Sequence, residues 1–178
     1  MTELSDLYFL REMSKKDVSV INDWRNDRTI VSSLGAPFRY IDISIDERWA
    51  EHYYSNRFGM VRLSICDKKT DVAVGVVYLL NIDWVARNCE FAIMIGDVNH
   101  QGRGIGEYAT RLAVQHAFND LNLHRIYLTL LEENTRAFKL YSKVGFKKEG
   151  LLRDAVFKNG QYLNLIQMSL ITGEPCVE

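Results

Sequence analysis

Apolar residues recur along this chain in two rhythms. From Met60 to Cys66, Val72 to Leu80, Asn88 to Ile95 and Arg125 to Leu131 they gather in short runs between polar or glycine-bearing stretches, which predicts strands. The run "VAVGVVYLL", Val72 to Leu80, is apolar at odd and even positions alike, so it is expected well inside a sheet. Elsewhere the spacing is three or four. Ile45, Trp49 and Tyr53 mark one helix. Tyr108, Ala109, Leu112, Ala113, His116 and Ala117 mark another. Ala137, Leu140, Tyr141 and Val144 mark a short third that stops at Gly145. Leu7 to Arg11 reads as a first strand, and Lys15 to Asn26 as a helix with Val20, Ile21 and Trp24 inward. Arg28 to Ser44, which holds Gly35 and Pro37, reads mainly as loop, and Asp67 to Thr70 as a polar turn. Asn159-Gly160 between two apolar stretches is a hairpin signal. The order is strand, two helices, three strands, helix, strand, helix, hairpin. That predicts a mixed α/β sheet in one domain spanning residues 1–178, a size that supports a single core.

Composition narrows the function. With 47% hydrophobic and 25% charged residues the balance is that of an ordinary soluble domain. The formal net charge of -1 speaks against nucleic acid as a partner, because that needs a basic surface. No apolar stretch approaches a membrane span, and the first residues lack the basic-then-apolar order of a signal peptide, so a cytoplasmic protein is expected. Cys66, Cys89 and Cys176 are odd in number and far apart, and the four histidines form no ligand pair, so neither a disulfide framework nor a metal site is expected. A homodimer is compatible with all of this.

The chemistry concentrates in "NHQGRGIG", Asn99 to Gly106, which follows the strand "FAIMI" and precedes a long amphipathic helix. A strand that runs through glycines into a helix is a phosphate-binding arrangement, since backbone N–H groups and the helix dipole converge there. The stretch is not a dinucleotide fingerprint, whose third glycine would fall at Glu107, and it lacks the Gly-Lys-Ser/Thr ending of a Walker loop. A glycine-rich turn without ligand is the bland alternative. Glu90 stands out for another reason. It alternates with Phe91 in an apolar strand, on the face shared by Ala92 and Met94, where a carboxylate needs a partner or a task. A salt bridge, for example to Arg87, is its bland alternative.

Gln101-x-x-Gly104-x-Gly106 resembles the pyrophosphate loop of the GNAT superfamily, the acyl-CoA-dependent N-acetyltransferases. "RNCEFAIMI" resembles that family's fourth strand, and "ENTRAFKLYSKVGF" its late Asn-plus-Tyr segment. "KKEGLLRDAVFKNGQY" is similar to the ending of the RimJ/RimL-like branch, which includes ribosomal-protein and polyamine acetyltransferases. The likeness is strong from about Gly75 to Leu170 and thin before. It implies a mostly antiparallel central sheet flanked by helices, with a C-terminal β-hairpin and acetyl-CoA as cosubstrate, without metal.

Residue by residue, the resemblance implies that Ile93, Met94 and Ile95 hold the pantetheine arm through their main chain. Gln101, Gly102, Arg103, Gly104, Ile105 and Gly106 would hold the pyrophosphate. Asn134 would contact CoA, although Asn before Thr135-Arg136-Ala137 is equally an N-cap. Tyr141 would be the acid for the departing thiolate, and Glu90 the base, directly or through water. Trp24, Arg25 and Asn26 would line the acceptor pocket. The region Ser14 to Arg57 holds seven acidic and seven basic residues, so no acidic funnel for a polycation is evident. An amino sugar nucleotide or a peptide N-terminus is therefore expected as acceptor, with a spermidine-type polyamine as the alternative. A non-catalytic acyl-CoA-binding or interaction module is the alternative of another class.

Overall fold

The structure, a computed structural model, describes residues 3–174; Cys176 lies outside them. Seven strands form one sheet: β1 (Tyr8–Glu12), β2 (Val61–Asp67), β3 (Ala73–Asp83), β4 (Asn88–Ile95), β5 (Arg125–Leu131), β6 (Lys147–Lys158) and β7 (Gln161–Ile171). Their spatial order is β1-β2-β3-β4-β5-β7-β6, and only β4 and β5 run parallel. Among the described residues six α-helices flank them: α1 (Leu4–Leu7), α2 (Val18–Asn26), α3 (Arg28–Ser32), α4 (Ile43–Ser55), α5 (Ile105–Gln115) and α6 (Thr135–Val144). The expected mixed, mostly antiparallel sheet with its C-terminal hairpin is what forms. Asn159 (φ 51°) and Gly160 (φ 83°) make the two-residue hairpin turn.

The two faces of the sheet have separate cores. On one, α5 and α6 cover Val77, Leu79, Phe91, Ile126, Leu128 and their neighbours. On the other, α2 and α4, with Tyr53 of α4 buried, cover Met13, Cys66 and Val76, with Tyr78 and Met94 packed against them. Along β4 the side chains alternate between these cores: Phe91, Ile93 and Ile95 go to the first and Met94 to the second.

Three local expectations are refined. Arg28 to Ser44 is mainly loop, over residues 33–42, but α3 occupies its start, Arg28–Ser32. Asp27 caps it, its carboxylate accepting from the N–H of Thr29 (2.7 Å) and of Ile30 (3.4 Å), and Ile30 and Val31 are buried. The first strand starts at Tyr8, since Leu7 closes α1. The helix from Lys15 opens as a tight 3₁₀ turn, Lys15–Asp17, and becomes α-helical only at Val18.

The segment after α3 crosses from the α2–α4 half of the molecule to the hairpin half. Lys158, buried on β6, donates to the carbonyls of Val31, Leu34 and Ala36 at 2.5 to 3.1 Å. Asn134 at the start of α6 donates to the carbonyl of Ser33 (3.0 Å). The crossing segment is thus held by an ammonium and an amide that satisfy carbonyls no strand reaches.

Candidate active site

The sheet opens at one place. β4 and β5 pair only through Asn88↔Arg125, Cys89↔Ile126 and Glu90↔Tyr127. Beyond Glu90, β5 continues with β7 as far as Leu131↔Leu165, while β4 continues with β3 as far as Gly75↔Ile95. Phe91 to Ile95 therefore turn one backbone edge into a wedge that no strand fills. Backbone groups left open inside a fold need another partner.

At the wide end of the wedge lies the glycine loop. Gly102 (φ 78°) and Gly104 (φ 81°) are both left-handed, which glycine adopts without a Cβ penalty. Among the described residues, no N–H from Gly102 to Glu107 meets a backbone carbonyl; the first helical bond of α5 is Tyr108 N–H to the Gly104 carbonyl. Six consecutive donors thus stand free at the positive end of α5, a ready anion site. Gly106, whose N–H is one of these donors, also has a packing role. It lies within α5, and a Cβ there would press on Leu140 Cδ1 at 3.1 Å, so its bareness lets α5 and α6 approach. Gln101 turns back, its amide donating to the Ile95 carbonyl (3.0 Å), and Ile105 is core. Arg103 is exposed. Sequence reasoning passed over Arg136. Its guanidinium comes within 3.8 Å of where a Gly102 Cβ would stand, so it overhangs the loop from the first turn of α6. Its place directly after Asn134-Thr135 at a helix start was the available signal.

The apex of the wedge brings Tyr141 and Glu90 to one point of the sheet, on opposite faces. Tyr141 is buried, with its ring edge-on to Phe91 (6.1 Å between centroids) and tilted on Phe146 (5.7 Å). Burial alone holds its phenol well above the ordinary range, so it stays protonated at neutral pH. Glu90, half-buried, accepts from Asn81 Nδ2 at 2.9 Å. Arg87 is spent on the Asn122 carbonyl and side chain, so the Arg87–Glu90 salt bridge does not form. Asn134 is the N-cap of α6, accepting from the Ala137 N–H at 3.0 Å. The thiols of Cys66 and Cys89 are pushed up by burial, to about 11 and about 12, and are inert.

The acceptor side is the face bearing Glu90. Here the three residues Trp24-Arg25-Asn26 are first of all structural. Trp24 lies flat against the backbone at Gly96, where a Cβ would sit 1.9 Å from Trp24 Cδ2. Asn26 exchanges hydrogen bonds with Ile41 N–H (2.9 Å) and its carbonyl (2.8 Å). Arg25 pairs with the fully buried Asp46 and lies 5.5 Å from the Trp49 ring. Gly96→Ala is expected to displace Trp24 from the end of β4 and cost about 3 kcal/mol, read as a lowered urea midpoint at unchanged m-value. A midpoint equal to wild type would show that Trp24 has room to move.

Across the same face runs the row Arg62, Tyr78 and Ala92, directly paired on β2, β3 and β4. The Arg62 guanidinium sits over Trp49 (4.5 Å), Tyr78 (4.6 Å) and Tyr53 (5.9 Å). Its Nε is buried without a hydrogen-bond partner. Burial lowers its pKa and raises that of the Tyr78 phenol.

Among the described residues, no group of three or more His, Cys, Asp or Glu is placed to hold a metal, and no helix is long and apolar enough to cross a membrane.

Comparison with known proteins agrees with this geometry. Residues 8–147 match the family model for the acetyltransferase (GNAT) domain. The spermidine N(1)-acetyltransferase of Vibrio cholerae is 31% identical over 91% of this chain and 91% of its own. That of Escherichia coli is 31% identical over 90% and 84%. A crystal structure of the Vibrio cholerae enzyme with CoA and spermine superimposes with a TM-score of 0.88, covering 94% of this chain and 96% of that one, at 29% identity. A putative ribosomal N-acetyltransferase of Bacillus subtilis, YdaF, matches only 56% of the chain. The expected likeness to the RimJ/RimL branch holds at the level of the GNAT domain and not specifically at the branch: the matches that span the chain include these spermidine acetyltransferases and the uncharacterized N-acetyltransferase p20 of Bacillus licheniformis, 30% identical over 93% of both chains. With its opened sheet, its free loop donors and a family match over most of its length, the chain belongs to the GNAT acetyltransferases.

Proposed function

We propose that the protein transfers an acetyl group from acetyl-CoA to a primary amine of a small acceptor by direct attack. The observation that carries this reading is the wedge between β4 and β5, which ends in the free N–H groups of Gly102 to Glu107. These donors, with Arg103 and Arg136 near them, fit a pyrophosphate; the open edge of Phe91 to Ile95 fits an amide-bearing arm. The thioester supplies an activated acyl carbon. In the transfer the amine N–C bond forms and the C–S bond breaks. Glu90 takes the amine proton, directly or through water, and Tyr141 donates a hydrogen bond to the departing sulfur. A base has most to do for basic acceptors. An amine of pKa about 10.4 pays about 4.6 kcal/mol to be neutral at pH 7, and one near 8 about 1.4.

A spermidine-type polyamine is the acceptor that the relatives support, since two of them at 31% identity are spermidine acetyltransferases. A second reading, an amine that also bears an anionic group, draws on charge pairing. Three carboxylates of this face are already matched, Asp17 by Arg11 (2.7 Å), Asp46 by Arg25 and Glu12 by Arg57 (2.8 Å), which leaves Glu90, held only by the neutral Asn81, as the carboxylate that meets the amine. The test is release of free CoA thiol with spermidine, amino sugar nucleotides and short peptides, followed by mass spectrometry of the product. Acetylated amine at the expense of acetyl-CoA is the expected result. Tight CoA binding without thiol release for any amine would return the protein to a binding module.

A further inference from the structure

The geometry points to an oxyanion subsite built on Arg62, which takes a carboxylate or phosphate group of the acceptor while its amine lies at Glu90 and Ala92. This rests on the acetyl-transfer reading only for the position of the amine.

The argument starts from a charge without a counter-charge. A guanidinium drawn partly out of water is stable when paired, and the neighbours of this half-buried one are aromatic rings and the neutral Tyr78 hydroxyl. The nearby carboxylates are committed. Asp46 accepts from Arg25 and from Asn22 (2.9 Å). Glu12 accepts from Arg57 and from the Tyr53 hydroxyl (2.8 Å). Asp17 accepts from Arg11, Ser14 and Ser64. Among the described residues, Arg62 has no acidic group within ion-pair distance, and its Nε is both buried and unpartnered. A second cation stands close by, because Arg25 lies on the same Trp49 ring and their mutual repulsion adds to the lowering of the Arg62 pKa.

The rings do two things. They hold the guanidinium plane by cation–π contact, and they shield its Nε from water while the side chain stays partly exposed. Such a preorganised fork matches a carboxylate or phosphate through paired N–H donors. The register then sets the spacing. Arg62, Tyr78 and Ala92 are direct neighbours across three strands, so the guanidinium lies one to two strand spacings, about 5–10 Å, from the amine position beside β4. An acceptor whose amine and anion are separated by a chain of that reach spans both.

Matched pairs of acceptors test this: 1,6-diaminohexane, 6-aminohexanoate and 6-aminohexyl phosphate differ only in the far group. With the wild-type protein and acetyl-CoA, kcat/KM for at least one anionic compound is expected to exceed that for the diamine by at least tenfold. The better of the two identifies the anion. Arg62→Gln is expected to abolish that preference, chiefly through KM, and Arg62→Lys to restore part of it. Calorimetry with CoA present reads the same preference as a Kd ratio, so the subsite is tested even where no acetyl transfer occurs. Anion-selective binding without thiol release would overturn the transfer reading and leave the subsite standing. Turnover that favours the diamine, no binding of any of the three compounds, or a ratio unchanged in Arg62→Gln would overturn the subsite. Circular dichroism and the urea midpoint establish that each variant is folded.

Discussion

Tyr141→Phe is expected to lower kcat about ten- to a hundredfold, with the Kd for CoA within about twofold of wild type and the melting temperature unchanged. The packing argument is direct. The ring contacts with Phe91 and Phe146 survive the substitution, and the lost hydroxyl leaves no buried partner unsatisfied. The catalytic argument sets the magnitude. Burial pushes the phenol above its usual 10, whereas a departing thiol has a pKa of about 8.5. Full proton transfer is therefore uphill by at least about 2 kcal/mol. The hydroxyl serves as a hydrogen-bond donor to the sulfur, which limits its contribution. Steady-state kinetics at saturating acceptor, with calorimetry for CoA, separates the two quantities. A variant as active as wild type would make Tyr141 a core residue and nothing more.

Tyr141 also shows how far the sequence carries. Its place on a stripe with Ala137 and Val144 marks it as inward-facing, and the adjoining Gly145 ends the helix at φ 116°. The alternation in "NCEFAIMI" correctly separates Glu90 from Phe91, because a strand's period of two leaves no choice. The wedge itself is invisible in the same residues. Whether β5 stays beside β4 after Glu90 depends on which partner each edge finds, a non-local matter. The helix α3 was missed because Thr29, Ile30 and Val31 are β-branched and weak helix formers, while the cap from Asp27 and the burial of Ile30 and Val31 outweigh propensity. Helix periodicity turns Trp24 inward, while the family resemblance implies that it lines the acceptor pocket, and neither shows what it rests on. Gly96, the residue it rests on, is seventy-two positions away. Arg62 sits plainly on a predicted strand, yet its cage comes from Trp49, Tyr53 and Tyr78 on two other elements, and only the folded chain shows that no acid joins them.

Gly104→Val and Gly106→Ala are expected to act differently, and the contrast tests the loop as a cofactor site. Gly104 holds φ at 81°, a region that costs an L-residue about 1–2 kcal/mol and is a true outlier for a β-branched one. Valine there forces the backbone towards negative φ, and the peptide units on either side of residue 104 rotate. The free N–H groups then no longer converge. The loop is exposed, and Ile105 still anchors α5 in the core, so the fold survives. CoA affinity is expected to drop more than tenfold, at least about 1.4 kcal/mol, with a modest change in melting temperature. Gly106 has helical backbone, and alanine keeps it. The added methyl meets Leu140 Cδ1 at 3.1 Å, so that side chain must give by a few tenths of an ångström, against a gain of about 1 kcal/mol in helix propensity; the effect falls on stability while the donors stay in place. Calorimetry with CoA and thermal denaturation on both variants give four numbers. Equal CoA affinity in wild type and a folded Gly104→Val protein would remove the pyrophosphate from the loop. A loss of CoA affinity in Gly106→Ala as large as in Gly104→Val would show that the α5–α6 contact, not the left-handed turn, shapes the site.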